Sequence, residues 1–266
     1  MASRREQKEL ARAARIAAEQ AATAASVRRR RLLGLGGIVT IAVIALVAVI
    51  AIGAAASGGS GLQSRRQALQ TYHQVATELG GIPQRGVRLG AADAKVAMTY
   101  IGDLECPYCR VFTTTILPRF ISRYVRTGKV KVVYRSLCTA TCHYNTPRFI
   151  PQQVAAYAAG RQNLFWQYAE LFYREQQDES QSYVTEHYLR GLAGQIPSLR
   201  LRRWLSDRKE PALTSQVEAG QTLTGRQGLP EQTPEVLISG PRGSVYLPLG
   251  GVPTLTWLIS AVGKVS

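Results

Sequence analysis

The chain has 266 residues, which suits one core domain with appendages and is too short for two large domains. Hydrophobic residues make up 45% of it and charged residues 19%, which is ordinary for a globular protein. The formal net charge of +16 is not ordinary, and part of it is concentrated at the N-terminal end.

A basic N-terminal segment precedes a long apolar one. Residues 1–31 hold nine Arg or Lys and three Glu, and residues 32–56 hold no charged side chain over 25 positions. A helix of that length crosses about 30 Å of hydrocarbon. A cleaved signal peptide is the alternative, although its apolar region usually runs for only about 7 to 15 residues. We therefore predict a basic cytoplasmic tail at 1–31 and a transmembrane helix at 32–56.

The predicted orientation places the rest of the chain outside the cytoplasm. Four arginines, Arg28 to Arg31, precede the apolar segment, and positively charged flanks stay in the cytoplasm. We expect a single-pass protein of the cell membrane whose folded domain is extracytoplasmic, in a compartment where disulfides persist. The remaining positive charge suits anionic lipid headgroups, and no nucleic-acid partner is expected.

A parallel βαβ unit is predicted after a linker. Residues 57–87 combine the flexible sequence SGGSG with one short helix that ends at a Gly-Gly pair. Residues 95–102 predict a strand, the residues after it predict a helix that ends at Gly128, and residues 129–137 predict a second strand. Strands joined in this way run parallel and end at the same edge of a sheet.

The rest of the chain changes from a helical pattern to a strand pattern. Residues 151–225 repeat apolar side chains at helical spacing without a clear strand, which predicts an all-helical region. Residues 235–240 and 244–250 predict a hairpin, and Pro253 lies near the first turn of a closing helix. The predicted order is therefore βαβ, helices, then ββα.

Two cysteines stand at the first strand-to-helix turn, in the sequence DLECPYCR. A thiol reacts as its thiolate, and a cysteine at a helix N-terminus has a lowered pKa. Cys106 holds that position, Pro107 suits the first helical turn, and Cys109 comes round toward Cys106. We predict a redox pair in which Cys106 is the exposed, reacting sulfur and Cys109 resolves. An inert disulfide is the alternative, but so short a loop would stabilise the fold little.

A second pair, Cys138 and Cys142, directly follows the second predicted strand, at the same sheet edge as Cys106. Three intervening residues allow a local disulfide, which either staples the loop or relays electrons to the first pair. The four cysteines could instead bind zinc, but a whole helix and a strand separate the two pairs and the compartment favours disulfides. We therefore expect no metal.

Several motifs follow in one order: a strand with CPYC, then ILPRF, GKVKVVYR, AAYAAGRQNLFWQYAELF and QTPEVLISG. From about Arg88 to the C-terminus the chain resembles the DsbA-like thioredoxin-fold thiol-disulfide oxidoreductases. The resemblance implies an α/β thioredoxin fold with its first half at 88–137, an all-helical insertion at 138–228 and its second half at 229–266. No cofactor is expected.

The resemblance also implies a cis-proline facing the redox cysteines. Thr233 and Pro234, just before the predicted hairpin, are the candidates for this position and for contact with substrate. Pro253 fits the motif as well, but it follows the hairpin. The dipeptide between the cysteines, Pro107 and Tyr108, departs from the Pro-His of the best-known strong oxidants of the family.

The predicted activity is the oxidation of exported protein or peptide thiols by the Cys106–Cys109 disulfide. By resemblance, a quinone-linked membrane oxidase of the DsbB or vitamin K epoxide reductase type reoxidises the enzyme. A reductase or isomerase fed by a membrane electron carrier is the alternative within the same chemistry. A non-catalytic chaperone or scaffold on a thioredoxin fold is the alternative of a different class.

Overall fold

The computed structural model describes residues 63–226, 232–246 and 251–266. The predicted basic tail at 1–31 and the predicted transmembrane helix at 32–56 lie outside these ranges. Within the ranges, no helix combines the length and the apolar character needed to cross a membrane.

A mixed sheet of six strands organises the described residues, in the order β1-β2-β4-β3-β5-β6. The strands are β1 (Gln84–Arg85), β2 (Arg88–Leu89), β3 (Val96–Gly102), β4 (Val130–Ser136), β5 (Glu235–Gly240) and β6 (Gly243–Tyr246). Strands β3 and β4 are parallel, and the other neighbouring pairs are antiparallel. The sequence did not indicate β1 and β2, because strands of two residues carry no periodic signal.

Strands β3 and β4 position the site. Their register pairs Val96 with Val130 and Gly102 with Ser136, so both strands end at one edge of the sheet. Buried and partly exposed residues alternate along β4, and the valines and Tyr134 favour an extended, half-buried conformation. The predicted parallel βαβ unit is therefore confirmed.

The helix after β3 is one helical run, residues 107–125, which we call the CxxC helix. Its segments are α2 (Pro107–Val111), a π-helical segment (Phe112–Ile116), α3 (Leu117–Phe120) and a second π-helical segment (Ile121–Val125). Pro118 has no N–H for the α-helical ladder. The Leu117 N–H bonds the Phe112 carbonyl, which is the wider π-helical spacing. The proline therefore distorts the helix without ending it.

Helices fill the chain between the two halves of the sheet. They are α4 (Ala140–Asn145), α5 (Phe149–Gly160), α6 (Phe165–Arg174), α7 (Glu186–Gly194), α8 (Leu201–Asp207) and α9 (Pro211–Arg226), with a 3-10 turn at Thr146–Arg148. No strand lies between residues 140 and 226, so the predicted all-helical insertion is confirmed. Phe165 and Trp166 are 0% and 1% exposed and belong to its core.

Helix α1 (Arg65–Leu79) precedes the sheet and is part of the folded core. It starts with a capping box, in which Ser64 and Gln67 satisfy each other's backbone N–H groups. An ion pair of 2.6 Å joins its Glu78 to Arg174 of α6. The short helix predicted within 57–87 is thus docked onto the helical insertion.

The C-terminal elements close the sheet. Strand β5 pairs with β3 on one side and with β6 on the other. Helix α10 (Leu255–Val265) follows, and the Thr254 hydroxyl caps it by accepting the Trp257 N–H. The hairpin predicted from the sequence is confirmed up to Tyr246, residues 247–250 of its second predicted strand lie outside the described ranges, and the closing helix is confirmed.

Candidate active site

The two cysteines of CPYC lie at the start of the CxxC helix. Cys106 is the N-cap, and Pro107 takes a first-turn position where its missing N–H costs no hydrogen bond. The Cys109 N–H donates to the Cys106 sulfur over 3.4 Å. Both cysteines are free thiols, so the structure represents the dithiol form of the pair.

Cys106 is less accessible than the sequence predicted. Its side chain is only 3% exposed, and that of Cys109 is 0% exposed. The expectation of an exposed Cys106 was wrong because the chain before β5 packs directly over the sulfur. The Cys106 thiol donates to the Thr233 carbonyl over 3.3 Å.

The chain segment over Cys106 contains the predicted proline. The Thr233–Pro234 peptide bond is cis, and the bond before Pro253 is not. Strand β5 starts at the next residue and pairs with β3, which is the strand that leads into Cys106. The sheet therefore brings Thr233 and Pro234 to the cysteines across a long stretch of sequence.

Hydrogen bonds and burial make the two thiols chemically different. Hydrogen bonding from Cys109 lowers the pKa of Cys106, burial opposes this effect, and the Thr233 side chain lowers the pKa further. Burial raises the pKa of Cys109 well above the ordinary thiol value, and the adjacent Cys106 adds to the rise. A thiol with a low pKa is a good leaving group and exists as thiolate at lower pH. Cys106 is therefore the sulfur suited to exchange.

A groove of about 440 Å³ opens beside the Cys106 sulfur. It is lined by Cys106, Pro107, Tyr108, Thr139, Ala140, Glu179, Gln232, Thr233, Pro234 and Gly251. Tyr108 is 61% exposed, and Val111 on the same helix is 41% exposed, so apolar surface surrounds the opening. A mostly apolar groove with a few polar groups suits an extended peptide that carries a cysteine.

The second cysteine pair borders the same groove. Cys138 and Cys142 form a disulfide between β4 and α4, with Cα atoms 5.5 Å apart. Thr139 lies inside this short loop, and its hydroxyl hydrogen-bonds the Thr233 hydroxyl over 2.6 Å. The loop is therefore in direct contact with the segment that covers Cys106.

Asp103 is a site residue that the sequence analysis missed. Its buried carboxylate accepts the N–H groups of Glu105, Thr139 and Thr141 and the Thr141 hydroxyl, at 2.6 to 3.1 Å. Burial raises the pKa of Asp103, and these hydrogen bonds oppose the rise. A useful signal was present, because Asp103 directly follows β3 at the edge where the two parallel strands end.

Two further side chains hold the turn around Cys106, and no sequence pattern indicated either of them. The Gln176 amide, just after α6, donates to the carbonyls of Leu104 and Cys106 at 2.7 and 3.1 Å. Glu105 is fully buried and lies 3.6 Å from the Arg148 guanidinium. Burial raises the pKa of Glu105 to about 7.

The geometry does not form the four-sulfur zinc site that the sequence left open. Cys138 and Cys142 are bonded to each other. Across residues 63–226, 232–246 and 251–266, no group of three or more His, Cys, Asp or Glu side chains is placed to hold a metal ion.

Comparison with known proteins identifies the family. The family profile described as "Thioredoxin" matches residues 84–242, which is more than half of the chain. The chain belongs to the thioredoxin family. Oxidised BdbD from Bacillus subtilis has a TM-score of 0.57 and 20% identity, covering 69% of this chain and 96% of BdbD. DsbA2 from Pseudomonas aeruginosa has a TM-score of 0.52 and 20% identity, covering 68% of this chain and 94% of DsbA2.

These likenesses show the DsbA-like form of the thioredoxin fold, with its helical insertion. A curated relative of this thioredoxin-family chain is disulfide bond formation protein D of Bacillus subtilis (strain 168). It is 25% identical over 151 residues, which cover 57% of this chain and 66% of the relative. Among the curated relatives the aligned region covers between 54% and 66% of the relative's length.

Proposed function

We propose that this thioredoxin-family protein is an extracytoplasmic thiol-disulfide oxidoreductase that introduces disulfides into exported proteins. The observation that carries the proposal is the free CxxC dithiol at the start of the CxxC helix, where the Cys109 N–H donates to the Cys106 sulfur and the cis Thr233–Pro234 segment lies against it. The lowered pKa of Cys106 and the raised pKa of buried Cys109 agree with it. The name of the Bacillus subtilis relative, disulfide bond formation protein D, supports the same activity.

The proposed reaction starts from the oxidised enzyme, with a Cys106–Cys109 disulfide. A substrate thiolate attacks the Cys106 sulfur, the Cys106–Cys109 bond breaks, and Cys109 leaves and takes a proton. A second substrate thiolate then attacks the substrate sulfur of the mixed disulfide, and Cys106 leaves as a thiolate. The substrate gains one disulfide, and the enzyme gains two electrons as the dithiol seen in the structure.

The direction of electron transfer follows from the stability of the reduced enzyme. Hydrogen bonds to the Cys106 sulfur favour its thiolate, which exists only when the active-site disulfide is broken. Interactions that stabilise the reduced form make a dithiol pair a stronger oxidant. This supports the oxidase over the reductase or isomerase.

The proposed location is the outer side of the cell membrane, with the chain anchored by residues 32–56. The basic tail, the uncharged stretch and the disulfide between Cys138 and Cys142 support it. The proposed substrates are exported protein and peptide thiols. A quinone-linked membrane oxidase would return the dithiol to the disulfide.

Redox equilibration of the full-length chain in glutathione buffers tests the direction. We expect a reduction potential nearer the about −120 mV of strong oxidants than the about −270 mV of thioredoxin. A thioredoxin-like value would favour the reductase. In parallel, the oxidised protein should oxidise a dithiol peptide, and Cys106→Ser should reduce the rate to that of the uncatalysed reaction. Full activity of Cys106→Ser would exclude the catalytic function and leave the scaffold.

A further inference from the structure

Thr139 stands where a helix N-cap is expected, but its side chain does not cap the helix. It immediately precedes α4, and threonine at this position usually accepts an N–H of the first turn. The Thr139 hydroxyl makes no such bond. It is hydrogen-bonded to the Thr233 hydroxyl, at 2.6 Å. The hydroxyl is thus committed to the segment that covers Cys106.

Asp103 takes over the capping of α4. One carboxylate oxygen of Asp103 accepts the N–H of Thr139 and the N–H of Thr141, both at 2.9 Å. The other oxygen accepts the Thr141 hydroxyl at 2.6 Å. Charge-assisted bonds to a fully buried carboxylate are strong, so Asp103 fixes the backbone on both sides of Ala140. Asp103, which directly follows β3, therefore fixes the position of the Thr139 backbone.

The Cys138–Cys142 disulfide also restrains Thr139, because it closes the chain into a short loop around this residue. Cys138 and Cys142 enclose Thr139, Ala140 and Thr141 in one closed loop. The Cys138 N–H is bonded to the Gln221 side chain of α9 at 2.9 Å, which anchors the start of the loop. Three restraints, from β3, from α9 and from the disulfide, therefore meet at Thr139.

Thr233 transmits this restraint to the reacting sulfur. Its carbonyl accepts the Cys106 thiol at 3.3 Å. Hydrogen bonding from Cys109 lowers the pKa of Cys106, and hydrogen bonding from the Thr233 side chain lowers it further. When Thr139 donates to the Thr233 oxygen, the Thr233 hydrogen is free to point at the sulfur. Cys109 and the Asp103 carboxylate also act on the Cys106 pKa, and the Glu179 carboxyl lines the same groove.

We propose that Thr139 is a positioning residue, held by Asp103 and by the Cys138–Cys142 disulfide, that orients Thr233 against Cys106. The disulfide then acts as a clamp on the active site. It is neither a purely structural disulfide of the loop nor an electron relay. Both pairs of cysteines contribute to one site.

The first experiment removes the hydroxyl and keeps the shape of the side chain. It compares Thr139→Val and Thr139→Ser in the full-length chain purified in detergent. The Cys106 pKa is measured by ultraviolet thiolate absorbance, and kcat and KM are measured with a dithiol peptide. We expect Thr139→Val to raise the Cys106 pKa and to lower kcat/KM about three- to tenfold, the effect of one hydrogen bond. Thr139→Ser should keep wild-type values.

The matched control is Thr127→Val. The Thr127 hydroxyl bonds backbone carbonyls at the far end of the CxxC helix, so its removal should leave both readouts unchanged. Wild-type values for Thr139→Val would overturn the proposal. Equal impairment of Thr139→Ser and Thr139→Val would also overturn it, because the hydroxyl would then not be the group that acts.

The second experiment tests whether the disulfide acts through Thr139. The Cys138→Ala/Cys142→Ala variant should shift both readouts in the same direction as Thr139→Val. Because the two changes act on one contact, adding Thr139→Val to it should produce no further loss. Additive losses, or slower turnover with an unchanged Cys106 pKa, would instead indicate a relay and overturn the clamp.

The kinetic readout rests on the proposed function, whereas the thiol titration does not. If the wild-type chain fails to oxidise the peptide while Thr139→Val still raises the Cys106 pKa, the oxidase proposal fails and the positioning role stands. If the peptide is oxidised and the pKa does not move, the positioning role fails alone.

Discussion

Two cysteine pairs follow two parallel strands at one edge of the sheet. Cys106 and Cys109 come after β3 and are free thiols, whereas Cys138 and Cys142 come after β4 and form a disulfide. The first pair lies almost fully buried at the start of a long helical run, and the second pair is half-buried at the start of a short helix. The two cysteine pairs therefore share a position at the sheet edge and differ in their surroundings.

The difference lies in what surrounds each sulfur. Hydrogen bonding from Cys109 and from the Thr233 side chain favours the Cys106 thiolate, while burial disfavours the Cys109 thiolate. In the first pair, Cys106 is thus suited to leave as a thiolate and Cys109 to stay protonated. This difference suits a disulfide that is repeatedly formed and broken. The residues between Cys138 and Cys142 are instead engaged by Asp103, which suits a loop that stays closed.

The largest expected effect that separates the two pairs is thiol reactivity. Cys109→Ser leaves Cys106 without its resolving partner, so attack on an oxidised peptide should stop at a mixed disulfide. Cys142→Ser leaves Cys138 free in the same way. At pH 6 we expect Cys106 to form the mixed disulfide about tenfold faster or more, because of its lowered pKa. Mass spectrometry of quenched samples follows both reactions.

Comparable rates at Cys106 and Cys138 would remove the chemical distinction between the pairs. The Cys142→Ser variant is studied with its Cys106–Cys109 pair kept oxidised, so that Cys138 is its free thiol. Reduction with dithiothreitol should release the peptide from both variants and serves as the control.

The packing of α9 against the end of β4, next to the second cysteine pair, can be disrupted without replacing a cysteine. Gly220 of α9 faces the end of β4, and a Cβ atom at this position would overlap the Ser136 carbonyl oxygen. Because backbone cannot move aside as a side chain can, Gly220→Ala should lower the free energy of unfolding by about 3 kcal/mol. Gly194→Ala is the matched control, since a Cβ there meets no atom within 4 Å. Equal urea midpoints for the two variants would contradict this packing.

The smallest expected effect concerns the carboxyl group next to the first pair. Burial raises the pKa of Glu105 from 4.5 to about 7, so the folded state holds this proton more tightly than the unfolded state. The stability that results is complete below about pH 4.5 and is lost as the pH rises through about 7. Glu105→Gln removes this dependence, so wild type should lose about 2.5 kcal/mol relative to the variant between pH 5 and pH 8.

Urea unfolding at both pH values measures the effect, with Glu218→Gln as a control at an exposed position. A difference between wild type and Glu105→Gln that stays constant with pH would mean that Glu105 is ionised throughout. Burial raises the Glu105 pKa and the Arg148 guanidinium lowers it, so the effect of this ion pair is already contained in the value of about 7.

The sequence predicted the long elements and the sulfur chemistry because both have local signals. Strand β4 alternates buried and partly exposed residues, and CPYC at a strand-to-helix turn needs no distant residue to be recognised. The fold and the family followed from these features. Pro234 was located through the order of the motifs. Periodicity describes neighbouring residues and carries no information about a contact such as that of Thr233 with Cys106, which are far apart in the sequence.

The features that the sequence did not reveal depend on tertiary contacts. Burial of Cys106 comes from the Thr233 segment, and capping of α4 comes from Asp103 on another element. Gln176 resembles any polar residue after a helix until the fold places its amide beside the Cys106 carbonyl. Such contacts are set by packing between elements, which a single sequence leaves unspecified.

Gln176 has a consequence for the clients that the enzyme can serve. Its amide satisfies two buried carbonyls of the turn before the CxxC helix, at Leu104 and Cys106. Lifting the helical insertion away would leave both acceptors unpaired, at about 1–3 kcal/mol each. These two hydrogen bonds therefore favour the packed position of the helical insertion against the turn before the CxxC helix. Under the proposed function, a substrate cysteine reaches Cys106 through the groove more readily on a flexible segment, so we expect unfolded chains to be oxidised before compact ones.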